Sequence, residues 1–427
     1  MTTELHTTDA VFGEAAATAL LRFATAGSVD DGKSTLVGRL LYDSKSVLAD
    51  QLDAIGEASR RRGRDGLDLA LLTDGLRSER EQGITIDVAY RYFATGARKY
   101  IIADAPGHEQ YTRNMVTAAS TAQLAILLVD VRHGVVEQTQ RHAALAHLVG
   151  IQELVLAVNK MDLVEYRRDA FEQIVADFRK LSDRIGIGSF HGVPMSALHG
   201  DMVVDRGANL DWYRGPTLLQ ILETIEPPRS LLSQPFRFPV QYVARPAGER
   251  RRGYLGRVEA GSIGLGDVVV VLPGGQTTTV HAIRTFDGTR SRAGLHASVT
   301  LELADELDVS RGDLIVAAQN APQSVRSVSA DLAWLSDMPL AASRTYALKH
   351  TTRDVRARVT RVVDRFNVAT QTRDPTSEPL HLNDIGRVEI ALAQPIVADR
   401  YVDNRATGSF VLIDEATNAT VAAGMVR

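Results

Sequence analysis

The sequence predicts an α/β domain, built on a mostly parallel sheet with helices on both faces, followed by two all-β barrels. Three observations carry that expectation. From about residue 21 to 225, short apolar runs alternate with helix-period patterns, as strands joined by helical crossovers do. The stretch Glu226-Pro227-Pro228-Arg229-Ser230 then breaks the alternation and reads as a linker. Beyond it, β-rich runs separated by glycine turns recur at the spacing of small barrels.

In the first region the expected strands are residues 22–26, 99–103, 124–130 and 153–159, with helices over 113–121 and 138–148. The first barrel takes its strands from residues 236–243, 256–258, 267–272, 277–284 and 298–303, punctuated by Gly253, Gly261, Gly264, Gly266, Gly274 and Gly275. A second series runs from 328 to 427, with strands at 346–350, 356–363, 386–392 and 409–413, and Ala321-Pro322-Gln323-Ser324 reads as the joint. The expected domains are a tail over 1–18, the α/β domain over 19–228, and barrels over 229–322 and 323–427.

Composition narrows the function. A net charge of −4 argues against broad nucleic-acid binding, and no nucleic-acid partner is expected. The absence of cysteine excludes disulfides and thiolate metal sites. The first residues lack a basic segment ahead of an apolar one, and no apolar run reaches membrane-spanning length, so a cytoplasmic protein with no membrane partner is expected. The clusters Arg60-Arg61-Arg62-Gly63-Arg64 and Arg250-Arg251-Arg252 lie in turn-like surroundings and read as solvated loops.

The chemistry begins at residues 27–35, GSVDDGKST, placed between a strand and a helix. Gly27 and Gly32 let the loop turn its N–H groups inward onto phosphate oxygens, across Ser28, Val29, Asp30 and Asp31. Lys33 reaches the β- and γ-phosphates, Ser34 holds Mg²⁺, and Thr35 opens a helix with Leu36, Leu40 and Leu41 on one face. Asp104-Ala105-Pro106-Gly107-His108 follows a strand. There Asp104 is placed to anchor Mg²⁺ through water, Gly107 to approach the γ-phosphate, and His108 to position the attacking water. Between the two, Gly83-Ile84-Thr85-Ile86-Asp87 offers Thr85 as the second hydroxyl for Mg²⁺.

Asn159-Lys160-Met161-Asp162 ends another buried strand. Asp162 accepts from the guanine N1–H and 2-amino group, which adenine cannot satisfy. Asn159 braces the loop and the Lys160 stem covers the base, while Met195-Ser196-Ala197-Leu198 offers backbone N–H groups to guanine O6. With all five motifs in order, the expected nucleotide is GTP, with Mg²⁺.

These motifs, followed by two barrels, resemble the translational GTPases of the elongation-factor Tu and 1-alpha type. GSVDDGKSTLVGRLLYDSK, RSEREQGITIDVAYRYF and FRFPVQYVARP narrow the resemblance to the GTPase subunits of bacterial sulfate adenylyltransferase. So do YALKHTTR, LNDIGRVEIALAQPIVADRY and NRATGSFVLIDEATNATVAAGM. The resemblance covers about residues 23–425. It implies a heterodimer in which a smaller adenylyltransferase, subunit 2, makes adenylyl sulfate and pyrophosphate from ATP and sulfate, while this chain hydrolyses GTP to drive the step. It further implies an apolar gate at Val29 and Ile84 before His108, and a monovalent cation beside Asp30. Some relatives add an adenylylsulfate kinase domain. The sequence holds no second P-loop, so kinase activity is not expected in this chain. The alternatives are delivery of aminoacyl-tRNA and a module in which GTP is only a structural ligand.

Overall fold

The computed structural model describes residues 20–61, 67–73, 88–106, 112–151, 153–225, 230–245, 251–367 and 370–427. The chain folds as two compact units, one of residues up to 227 with the short stretch 368–371, the other of residues 228–367 and 372–427. Among the described residues, no helix is long and apolar enough to cross a membrane.

The first unit is built on a sheet in the order β2-β3-β1-β4-β5-β6, with β1 (Leu20–Gly27), β2 (Ala89–Ala94), β3 (Lys99–Asp104), β4 (Leu124–Asp130), β5 (Glu153–Asn159) and β6 (Phe190–Pro194). β1 runs parallel to β3 and β4, and β5 runs parallel to β4 and β6. β4 is buried along its whole length, as an interior parallel strand requires. The exception to parallel order is β2, which pairs antiparallel with β3 and exposes Tyr92. Its sequence, AYRYFA, was not among the expected strands.

Helices α1 (Lys33–Asp43), α2 (Ala49–Arg61), α3 (Thr112–Ser120), α4 (Glu137–Leu148), α5 (Arg168–Ile185) and α6 (Leu218–Thr224) accompany the strands. α1 buries Leu36, Leu40 and Leu41, each such leucine contributing about 1.5–3 kcal/mol through lost apolar surface. α5 buries Phe171, Ile174, Phe178 and Leu181 at helical spacing. α6 starts at a reciprocal cap between Thr217 and Gln220. The first basic cluster is not a loop at its start. Arg60 and Arg61 close α2, and exposed Arg60 donates to the Gly56 carbonyl; residues 62–64 lie outside the described residues.

The second unit holds both barrels. Strands β7 (Arg237–Ala244), β8 (Gly253–Arg257), β10 (Val268–Leu272), β11 (Gln276–Thr285), β14 (Ser298–Leu303) and β15 (Leu314–Ala317) close a ring through the β10–β11 pairing. The short strands β9 (Ile263–Gly264), β12 (Gly288–Arg290) and β13 (Arg292–Ala293) lie outside the ring, and β12 extends β11 as a hairpin. β16 (Ser324–Trp334), β17 (Tyr346–His350), β18 (Arg353–Asn367), β20 (Ile385–Val397), β21 (Ser409–Asp414) and β22 (Thr420–Val426) close the second ring through β17–β18, with β19 (Thr372–Pro375) attached to β18. The joint is shorter than expected, because Ser324 already belongs to β16. Arg251 is likewise no free loop cation, since it donates to the Leu303 and Ala304 carbonyls; Arg250 lies outside the described residues.

The barrels are pinned together. Arg237 of β7 grips Asp399 with two hydrogen bonds of 3.0 and 3.1 Å, and Thr407 donates to the same carboxylate at 2.6 Å. Arg353 pairs with Asp313 at 3.3 Å, and Leu272, Leu314, Val316 and Val397 form an apolar seam.

Candidate nucleotide site

Those expected site residues that are described lie at the carboxyl ends of adjacent strands, where open α/β sheets bind ligands. Register sets them side by side. Thr25 pairs with Asp104, Gly27 with Leu128, Asp130 with Asn159, and Val158 with Pro194.

The loop after β1 turns back through two positive-φ residues, Asp30 and Gly32. Asp31 caps the turn by accepting the Ser28 N–H at 2.6 Å, and Gly32 leads into α1. Lys33 is buried and donates to the Gly27 and Ser28 carbonyls at 2.9 and 3.0 Å. Burial pushes its ammonium below the ordinary lysine value against the opposing charge of Asp104. Burial likewise raises Asp31, against the Ser28 bond and the charge of Lys33. Ser34 and Thr35 are half-buried in the first turn of α1, and Val29 and Asp30 are exposed.

Asp104 is buried at the end of β3 and accepts from Thr25 Oγ1 at 2.7 Å, while Ala105 N donates to the Thr25 carbonyl at 3.3 Å. Ala105 and Pro106 are buried behind it. Gly107, His108, Ile84 and Thr85 lie outside the described residues.

The loop after β5 is tied to both neighbours. Asn159 Nδ2 donates to the Asp31 carbonyl at 2.8 Å, and its Oδ1 accepts from Ala197 N at 2.9 Å. Lys160 takes the left-handed conformation, φ 62°, at a local cost of about 1–2 kcal/mol for a non-glycine residue. Its ammonium bonds the Asp30 carbonyl. Asp162 Oδ1 accepts from Ser196 Oγ at 2.6 Å. Sequence reasoning missed Arg39, which reaches from α1 to the carbonyls of Ala197 and Leu198. It also missed His142, buried in α4 with its Nε2 3.0 Å from Gln138 Nε2.

The loop fits a phosphate chain. Its buried ammonium is bonded to carbonyls, the buried Ser28 Oγ has no hydrogen-bond partner, and a Cβ on Gly32 would meet Asn159 Nδ2 at 2.6 Å. Among the described residues, no group of three or more His, Asp or Glu side chains could cage a metal. Ser34 and Asp104 offer the hydroxyl and carboxylate oxygens that suit a Mg²⁺ ion shared with substrate phosphates and water.

A mainly parallel sheet with a glycine phosphate loop after β1 and an Asn-Lys-Met-Asp loop after β5, followed by two closed barrels, has the build of a three-domain P-loop GTPase. Residues 18–228 match the Elongation factor Tu GTP binding domain family, and residues 327–427 match the GTP-eEF1A C-terminal domain-like family. The sulfate adenylyltransferase subunit 1 of Aeromonas salmonicida is 50% identical over 95% of this chain and 86% of its own length. The bifunctional enzyme CysN/CysC of Mycobacterium tuberculosis is 52% identical over 96% of this chain and 67% of its own length, and the bifunctional enzyme NodQ of Rhizobium meliloti is 48% identical over 99% and 66%. The chain thus spans about two thirds of the bifunctional relatives. It belongs to the sulfate adenylyltransferase subunit 1 family, within the elongation-factor Tu and 1-alpha GTPases.

Proposed function

We propose that this chain binds and hydrolyses GTP and couples that energy to the formation of adenylyl sulfate from ATP and sulfate on a separate, smaller adenylyltransferase subunit. The observation that carries the GTP assignment is the loop after β5, in which Asn159 ties the phosphate loop to the Ala197 backbone and Ser196 Oγ holds the Asp162 carboxylate. Family membership carries the coupling.

In this reading Lys33 and the loop N–H groups neutralise and position the phosphates, which is most of what phosphoryl transfer asks of a protein. Ser34, Thr85 and Asp104 would hold Mg²⁺, which would supply further charge neutralisation. Gly107 closes on the γ-phosphate, and His108 orients the attacking water behind Val29 and Ile84. Asp162, held by Ser196, reads the guanine edge. Ala197 N–H is already bonded to Asn159, which leaves Leu198 N–H to serve O6. Segments touching the γ-phosphate then order with GTP and relax after hydrolysis, and a partner that binds the two states differently feels the change.

The test mixes the purified adenylyltransferase subunit with this chain and follows phosphate release and adenylyl sulfate together. GTP turnover is expected to rise with the partner, and adenylyl sulfate yield to rise with GTP. If neither moves, the coupling reading fails and charged-tRNA binding becomes the measurement to make.

A further inference from the structure

Asp130 closes the fully buried strand β4, and parallel register sets it directly beside Asn159 of β5. Its side chain is only 1% exposed. Lys160 Nζ stands 3.0 Å from Asp130 Oδ2. From the other side Arg132 donates twice, Nε to Oδ1 at 3.0 Å and Nη2 to Oδ2 at 2.6 Å, and its backbone N–H adds a bond of 2.9 Å. His133 Nδ1 lies at the edge of contact, 3.9 Å away. Although burial works in the opposite direction, the Arg132 and Lys160 bonds hold this carboxyl well below the usual carboxylate range.

The geometry is more than a surface ion pair. The same Lys160 ammonium bonds the Asp30 carbonyl of the phosphate loop. Lys160 thus spans from the base loop to the phosphate loop, and Asp130 is the fixed anion that aims it. The aim matters because Lys160 sits in the left-handed conformation, which its own backbone disfavours. Arg132 holds the carboxylate in one orientation, in the bidentate geometry that guanidinium groups give.

We infer that Asp130, oriented by Arg132, is a positioning residue that sets Lys160 across the nucleotide and thereby slows guanine-nucleotide dissociation. The inference rests on the assignment of Lys160 to the base loop.

A double-mutant cycle on the full chain tests it, reading the dissociation rate of a fluorescent GTP analogue with thermal unfolding as the folding control. Asp130→Asn and Lys160→Ala are each expected to speed dissociation about tenfold, with the double variant no faster than Lys160→Ala alone. Arg132→Ala, which changes an exposed side chain and leaves the buried carboxylate in place, is expected to give a smaller increase that also vanishes in the Lys160→Ala background. If Asp130→Asn or Arg132→Ala speeds dissociation equally with and without Lys160, the effect is structural and the inference is overturned. If Lys160→Ala itself leaves dissociation unchanged, the base-loop assignment fails and the inference falls with it.

Discussion

Gly32 and Asn159 fit each other so closely that a single methyl group on the glycine would stand 2.6 Å from the asparagine amide nitrogen. Gly32 also sits at φ 93°, where an L side chain is strained. Two faults therefore arise from one substitution. Gly32→Ala is expected to displace Asn159, break its bond to the Asp31 carbonyl and weaken GTP binding by about a hundredfold or more, in line with a lost hydrogen bond plus backbone strain. Titration with a fluorescent guanine nucleotide checks this.

Asp162 is held by Ser196 Oγ, and that bond fixes the direction of its free acceptor. Asp162→Asn is expected to weaken GTP binding at least about tenfold and to favour xanthosine nucleotides, because the amide donates where the carboxylate accepted. Competition between the two nucleotides reads the outcome directly.

His108→Ala separates binding from chemistry. GTP affinity is expected to stay near wild type while hydrolysis falls by about two to four orders of magnitude, the range typical of a lost acid–base or water-orienting group. Single-turnover hydrolysis alongside equilibrium binding makes the distinction.

Buried His142 gives a dependence on pH. Burial, with the charges of Lys33 and Arg141, pushes its pKa from the ordinary 6.5 down to about 3. Between those values the unfolded chain holds a proton that the folded chain lacks. The stability it contributes is therefore complete above about pH 6.5 and is lost as pH falls toward 3, by about 1.4 kcal/mol per pH unit. His142→Asn is expected to flatten that part of the acid limb in urea unfolding at pH 7, 6 and 5, where the wild type declines more steeply.

Breaking the barrel clamp is expected to be costly. Arg237→Ala leaves the Asp399 carboxylate without its guanidinium in a largely buried place, a change of about 3–5 kcal/mol. Replacing both residues by apolar ones of similar size should recover most of the loss. Denaturant unfolding of the single and double variants measures both.

Much of this was legible in the chain, for physical reasons. β4 and β5 are uninterrupted apolar runs ended by polar residues, and their bounds coincide with residues 124–130 and 153–159 as expected. β2 was missed because an edge strand need bury only one residue deeply, here Phe93, and the arginine inside AYRYFA splits its apolar residues into pieces shorter than the runs that mark the interior strands. β18 was expected over 356–363 but runs from Arg353 to Asn367, because ladder hydrogen bonds carry polar ends that hydropathy does not register. The motif positions at Gly27, Lys33 and Asn159 announced themselves by spacing. Asp130 and Arg39 did not, since their partners lie on other elements and only the folded sheet and helix bring them together.

The clamp between Arg237 and Asp399, with the seam around Val316 and Val397, turns the C-terminal half into a lever of fixed length. A pull on one barrel is therefore expected to pass to the other. A pair of spectroscopic labels shows the point: one at fully exposed Phe286 on the β11–β12 hairpin and one at exposed Val402 should keep a constant separation through the GTP cycle. The same labels in Arg237→Ala would register play in the lever before any loss of the barrels themselves.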